Sequence, residues 1–388
     1  MVGSASARAE NLRGLWSLDY GRLNVNHGSF GGTPRAVLAE QARWRDRMEA
    51  GTTYFMADEL PAALRSAAGV LAGHVGARAD DLVFVDNATA GINAILASLD
   101  LQPGDEILLH SHIYGAVLKT AQHAAARSGA VITSAELPFP YPMSGSIVEA
   151  FAAAITPRTR IAVVDHITSP SALILPLPEL AALFRDAGVQ LLVDGAHGPG
   201  NVPLDLAKLG ADYYVGNCHK WLMSPKGAGF LWAGPQHQPR LHPTTISHGY
   251  GSGFAAEFDW TGTRDFSAAL AVPAAIAFHN ELGGAALMRA NRELAWEAAQ
   301  VLARRWRMPI AASPEFFAAM TLVRTPLPCP ETDAYGDALR ARLRALGADS
   351  PLIRLDGGLW IRLSAQAYNR IEDYEKLAEL VPRLAEEI

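Results

Sequence analysis

Seven short apolar or β-branched runs recur between residues 82 and 233, and stretches suited to helices separate most of them. The runs are "LVFV" (82–85), "EILLH" (106–110), "AVITSAEL" (130–137), "RIAVVDH" (160–166), "QLLVD" (190–194), "DYYVG" (212–216) and "GFLWA" (229–233). Several are apolar throughout rather than alternating, as strands buried on both faces are. The intervening segments 62–76, 89–99, 115–128, 146–155 and 178–187 fit helices. This order predicts a doubly wound α/β unit, with a mostly parallel sheet of about seven strands covered by helices. After about residue 270 the pattern changes. Long Ala/Leu/Arg/Glu stretches (270–306, 333–346, 370–386) surround short strands near 318–324 and 359–363, which reads as a smaller α+β C-terminal domain. The expected division is a segment 1–30 packing across the domains, a large domain 31–265 and a small domain 266–388.

Composition narrows the class. A chain of 388 residues with 49% hydrophobic and 19% charged residues reads as an ordinary globular protein. The net charge is −6 and Lys/Arg form no basic stripe, so nucleic acid is not an expected partner. No apolar run has the length of a membrane span. The start lacks a secretory h-region, and Cys218 and Cys329 cannot build a disulfide framework or a zinc cage. The expected compartment is cytoplasmic and no metal is expected.

In open α/β sheets, ligands sit beyond the carboxyl ends of the strands. Five strand ends here deliver Thr89, Tyr114, His166, Asp194, His197 and Lys220 to one rim. The turn Asn87–Ala88–Thr89 opens a helix, whose free N–H groups and dipole favour a phosphate; Asn and Thr are also ordinary N-caps. Only five lysines occur in the chain, and two of them, Lys220 and Lys226, lie in "YYVGNCHKWLMSPKGAGFLWAG". Lys220 directly follows a strand, whereas Lys226 sits in a turn and reads as a solvated residue. An anion site, a carboxylate and a lysine together suit pyridoxal phosphate. The lysine amine forms a Schiff base, and the carboxylate keeps the ring nitrogen protonated.

The segment "DGAHGPGNVPLDLAKLGADYYVGNCHKWLMSPKGAGFL" resembles the class V aminotransferase family of fold-type I pyridoxal-phosphate enzymes, in its isopenicillin N epimerase-like branch. The motifs "NHGSFGGTP", "DNATAGINAIL", "HIYGA", "DHITSPSALILP", "FDWTGTRDFSAALAVPAAI" and "WIRLSAQAYN" extend the likeness over roughly residues 20–375. The resemblance implies Lys220 as the Schiff-base lysine and Asp194 as the partner of the ring nitrogen. It places His197 and His166 beside the cofactor's phenolic oxygen or ring, and Ala88, Thr89, Asn217 and His219 at the phosphate. Thr263 would be lent by a neighbouring subunit, which implies a homodimer with shared sites. Arg362 would grip a substrate α-carboxylate, since its planar fork matches that group. His112 or Tyr114 would face the ring, with Tyr114 preferred, and Tyr114 or His166 would be the second acid that epimerisation needs. Asn26, His27 and Ser29 would close over the substrate. Residues near Tyr54, Phe55, Trp221, His248 and Trp260, some of them from a partner subunit, are candidates for the side-chain pocket.

The implied activity is epimerisation or carbon–sulfur (β-) lysis at the α-carbon of an amino acid, joined to the cofactor by an external aldimine. Transamination, or a non-catalytic cofactor-binding sensor, is the alternative. "GADSPLIRLDGGLWIRLS" holds no cysteine, which argues against a persulfide-forming desulfurase.

Overall fold

The computed structural model describes residues 12–329 and 332–385. Seven strands form one sheet: β1 (Leu82–Val85), β2 (Glu106–His110), β3 (Val131–Ala135), β4 (Thr159–Asp165), β5 (Gln190–Gly195), β6 (Tyr213–Asn217) and β7 (Gly229–Ala233). Their order across the sheet is β1-β7-β6-β5-β4-β2-β3. Neighbouring pairs are parallel except those made by β7, which runs antiparallel to both β1 and β6. The all-apolar runs have the expected cause: β1, β2, β6 and β7 are buried along their whole length. One apolar cluster lies on each side of this sheet. Leu108, Ala162, Val164 and Val193 belong to the first, and Leu109, Val163, Leu192 and Val215 to the second.

The helices expected from the sequence occur at Leu60–Val75, Ala88–Ser98, Gly115–Ser128, Ser144–Ala154 and Leu177–Asp186. The stretch 270–306 is broken into Ser267–Leu270, Val272–Glu281 and Ala285–Trp306. Pro273 opens the second of these, and Gly283 and Gly284, both at positive φ, separate it from the third. Helix Arg35–Ala50 and strand β9 (Leu352–Leu355) were not foreseen. The helix has few buried positions, and β9 is a half-buried strand, so neither carries a strong apolar period. Strand β9 joins β8 (Met320–Arg324) and β10 (Gly358–Ser364) in a three-stranded antiparallel sheet, in the order β8-β10-β9.

The described part of the N-terminal segment ties distant parts of the chain together. Arg13 donates to both carboxylate oxygens of Asp373, at 2.9 and 2.8 Å. Leu23 bridges to Ala348, and the His27 ring lies 3.0 Å from the Lys220 carbonyl oxygen. Residues 1–11 fall outside the described residues.

Candidate active site

The carboxyl ends of β1, β2 and β4–β6 and the start of antiparallel β7 meet at one edge of the sheet. A cavity of about 510 Å³ opens there. Its wall includes Thr89, Tyr114, Asp194, His197, Asn217, His219 and Lys220, all expected from the sequence, together with Ala88. That volume is ample for a small aromatic cofactor with part of a substrate.

Lys220 follows β6, and its Nζ lies 3.2 Å from Nε2 of His197. It makes no salt bridge among the described residues, and burial pushes its pKa down to about 8 against the opposing pull of Asp194. Asp194, on β5, is buried, and its Oδ1 accepts the Ala196 amide N–H at 2.9 Å. Burial, reinforced by the charge of Asp165, raises its pKa to about 7. Desolvation disfavours the charged form in each case, upward for an acid and downward for an amine.

The end of the cavity expected to take an anion is built from backbone and short side chains. Helix Ala88–Ser98 starts at the cavity, with Asn87 as its N-cap accepting from the Ala90 amide at 3.0 Å. Asn217 Oδ1 takes the Ala88 N–H at 2.8 Å. The Ala88 amide is therefore occupied within the protein, and the expected cradle falls to Thr89 and the helix dipole. Two glycines let the chain come this close. A Cβ on Gly229 would meet Asn87 Cα at 2.8 Å, and one on Gly31 would meet the His219 carbonyl oxygen at 1.9 Å. Lys226 belongs to the cavity mouth rather than to a free turn. Its Nζ donates to the Gly31 carbonyl at 3.0 Å, which ties the 26–34 loop to the start of β7.

Arg362, on β10, is buried just behind this wall. Its Nη1 donates to the carbonyl and hydroxyl oxygens of Ser169, at 2.5 and 3.2 Å. Nη2 donates to Ser29 Oγ at 3.0 Å and reaches Asn26 Oδ1 at 3.5 Å. Ser29 and Ser169 are on the cavity wall, whereas Asn26 and Arg362 are not. Among the described residues no carboxylate lies within salt-bridge distance of Arg362, and its Nε is buried without a partner. Burial lowers its pKa to about 10.

Several other expected residues lie off this wall. His166 is absent from the wall; its Nδ1 lies 3.0 Å from Tyr214 Oη. Strand alternation explains this: Asp165, one residue earlier, takes the cavity-facing place. His112 is held behind the wall by Ser171 Oγ at 2.8 Å, so Tyr114 is the one of that pair on the cavity. Thr263 is exposed and outside this chain's cavity. None of the five pocket candidates lines the cavity of its own chain. Phe55 is buried in the core, Trp221 donates to His197, Trp260 stacks on Phe266, and Tyr54 and His248 are exposed. Asp165 and Ser169 were missed. The signal for Asp165 was present, since it ends an apolar strand as Asp194 does.

The donor set fits pyridoxal phosphate. One cavity holds a buried amine of lowered basicity, a buried carboxylate and a helix N-terminus, with an orphaned arginine Nε behind it. Lys220 would hold the aldehyde carbon, Asp194 the ring nitrogen, and Thr89 with His219 the phosphate.

The family model for class-V aminotransferases matches residues 33–376. The chain is 36% identical to an isopenicillin N epimerase from Amycolatopsis lactamdurans, over 99% of this chain and all of that one. It is 30% identical to an L-cysteine desulfhydrase from Arabidopsis thaliana, over 95% of this chain and 88% of the relative. A solved complex of the cystine C–S lyase C-DES superposes with a TM-score of 0.78 at 22% identity, covering 94% of this chain and 98% of that one, which speaks for the fold. The chain therefore belongs to the class-V aminotransferase family and is a pyridoxal-phosphate-dependent enzyme of fold type I.

Proposed function

We propose that the protein is a carbon–sulfur lyase acting on a free α-amino acid with sulfur on its β-carbon. The observation that carries this reading is the arrangement of acids and bases around the cavity. Lys220 is the one lysine at its centre, with His197 against its amine. β-Elimination needs one base at the α-carbon, and Lys220 suits that task with its lowered pKa. Bound pyridoxal phosphate would supply an electron sink for the α-carbon. Arg362 would take the substrate carboxylate as the counter-charge it lacks, in the place now held by Ser29 and Ser169. Tyr114, half exposed at the mouth, would protonate the leaving sulfur.

Epimerisation is the second reading, and the presence of Tyr114 on the wall favours it. A phenol there could return a proton to the face opposite Lys220. The curated relatives include both isopenicillin N epimerases and L-cysteine desulfhydrases. The two reactions separate cleanly. With L-cysteine, elimination gives sulfide, ammonia and pyruvate after hydrolysis, whereas epimerisation in heavy water gives the D-isomer carrying α-deuterium. Sulfide without D-isomer supports the lyase; deuterated D-isomer without sulfide would replace it with the epimerase. Borohydride reduction of the holoenzyme should label Lys220, and a label on another lysine would refute the assignment.

A homodimer with shared sites is part of this reading. Phe30, Tyr54, Ile246 and Tyr250 are large apolar residues left exposed in the single chain, at 71%, 62%, 56% and 61%. Covering them with a second copy would bury apolar area and bring a partner's Thr263 to the anion end. Sedimentation at micromolar concentration should give twice the chain mass of 41.5 kDa. Among the described residues no helix is long and apolar enough to cross a membrane. Among the described residues Cys218 and Cys329 form no disulfide, which suits a cytoplasmic setting.

A further inference from the structure

Asp165 has no part in the chemistry described so far, yet it lines the same cavity as Asp194. Strands β4 and β5 are parallel neighbours, and Asp165 is in register with Asp194. In-register residues leave a sheet on the same face, one strand spacing apart, about 5 Å. Both carboxyls are buried, at 2% and 3% exposure. On the other side of Asp165 stands His110, at the end of β2. Its Nε2 accepts the Asp165 amide N–H at 3.4 Å and lies 3.2 Å from Asp165 Oδ2. A nitrogen used as an acceptor offers no proton to that oxygen, and among the described residues Oδ2 has no aligned donor. A charge on Oδ2 would thus be buried and unsatisfied, whereas a proton there removes the charge and can share the Nε2 lone pair with the amide.

We propose that Asp165 is a positioning residue that shares a single proton with Asp194 in the cofactor-free protein, and so sets the charge presented to the cofactor's ring nitrogen. This rests on the cavity being the cofactor site. The surrounding groups agree. Among the described residues Lys220, after β6, is the one cation acting on both acids, and His110 is held neutral by burial. Tyr214 on β6 keeps its proton, His166 turns away toward Tyr214, and His197 stays neutral beside Lys220. At most one ammonium, that of Lys220, faces two buried carboxylates, which leaves at least one charge too many, and a shared proton removes it.

The cationic ring nitrogen should bind better once the pair has lost that proton. The affinity of the cofactor-free protein for pyridoxal phosphate should therefore rise with pH, up to tenfold per unit, until the pair is ionised. Titrating the cofactor by absorbance between pH 5.5 and 8 gives this profile for wild type and for D165N. In D165N the rise should move at least one unit toward acid, because Asp194 then ionises alone. The cofactor's own phosphate titrates alike in both and cancels. An unmoved midpoint overturns the proposal, as does affinity lowered equally at every pH, which is the mark of a merely structural residue. If D165N does not fold, carboxyl ¹³C NMR of aspartate-labelled, cofactor-free wild type decides. Two coupled carboxyls titrating around neutrality uphold sharing, and both ionised by pH 5 overturns it. Wild type that binds no pyridoxal phosphate would refute the cofactor reading instead, and the NMR result would still stand on its own.

Discussion

The Lys220 amine and the His197 imidazole meet at 3.2 Å, and the indole of Trp221 fixes which of them gives the proton. Indole N–H can only donate, and Trp221 Nε1 donates to His197 Nδ1 at 3.2 Å. A neutral imidazole that accepts at Nδ1 carries its proton on Nε2. The Lys220 nitrogen must then accept that proton through its lone pair, so the contact favours the neutral, nucleophilic amine. Burial pushes in the same direction, with a Lys220 pKa of about 8.

Trp221→Phe removes the donor that pins this tautomer and leaves the rest of the wall in place. Losing one hydrogen bond of about 1 kcal/mol should slow capture of pyridoxal phosphate at neutral pH by about fivefold. Stopped-flow absorbance on the cofactor-free protein measures this. A rate equal to wild type would show that the tautomer does not matter.

Arg362→Lys tests the carboxylate clamp. Lysine keeps the charge but loses the planar fork that Ser29 and Ser169 now hold. KM for an amino-acid substrate should rise about tenfold or more, while cofactor affinity stays within about twofold. Simple amines lacking the carboxylate should bind wild type and variant alike. Equal losses for amines and amino acids would remove the clamp.

At Gly31 two demands coincide: a φ of +69° and a backbone contact with the strand-end loop that holds Lys220. Gly31→Ala would drive its Cβ into the His219 carbonyl. A cost of about 1–3 kcal/mol is expected, read as a lower urea midpoint, with weaker cofactor binding because the Lys220 peptide must move. A variant as stable as wild type would mean that the 26–34 loop can yield freely.

Acid should destabilise the cofactor-free protein in a defined window. Burial lowers the pKa of His27, His112, His166, His219 and His279 to about 4, and of His110 to about 3, from an ordinary 6.5. These rings stay neutral in the folded chain and charge when it unfolds. Their contribution is present above pH 6.5 and is lost as pH falls toward 4. Asp194, with its pKa raised to about 7, and Asp165, also raised by burial, work the other way: the pair costs stability as pH rises from about 4 to 7. Six histidines outweigh it, so the urea midpoint should fall between pH 6.5 and 4. Asp194→Asn should steepen that fall by removing the opposing term. A midpoint flat across this range would contradict the burial of these rings.

The order of strands and helices was legible because each buried strand is an unbroken apolar run, a local property that survives without tertiary information. The same rule located Lys220, Asp194, Thr89 and His197, since a polar residue ending such a run has nowhere to go but the rim. Facing was not legible. His166 and Asp165 are adjacent, and only the register of β4 against β5 decides that the carboxylate looks into the cavity while the imidazole turns to Tyr214. Nor could the sequence tell that Ser169 and Ser29, 140 positions apart, hold the two arms of Arg362. Those contacts join residues far apart in the chain, so their geometry is set by how the sheets pack and by no local preference. The sequence by itself determined which chemical groups reach the rim; the tertiary structure decided which of them share one cavity, and the direction in which each points.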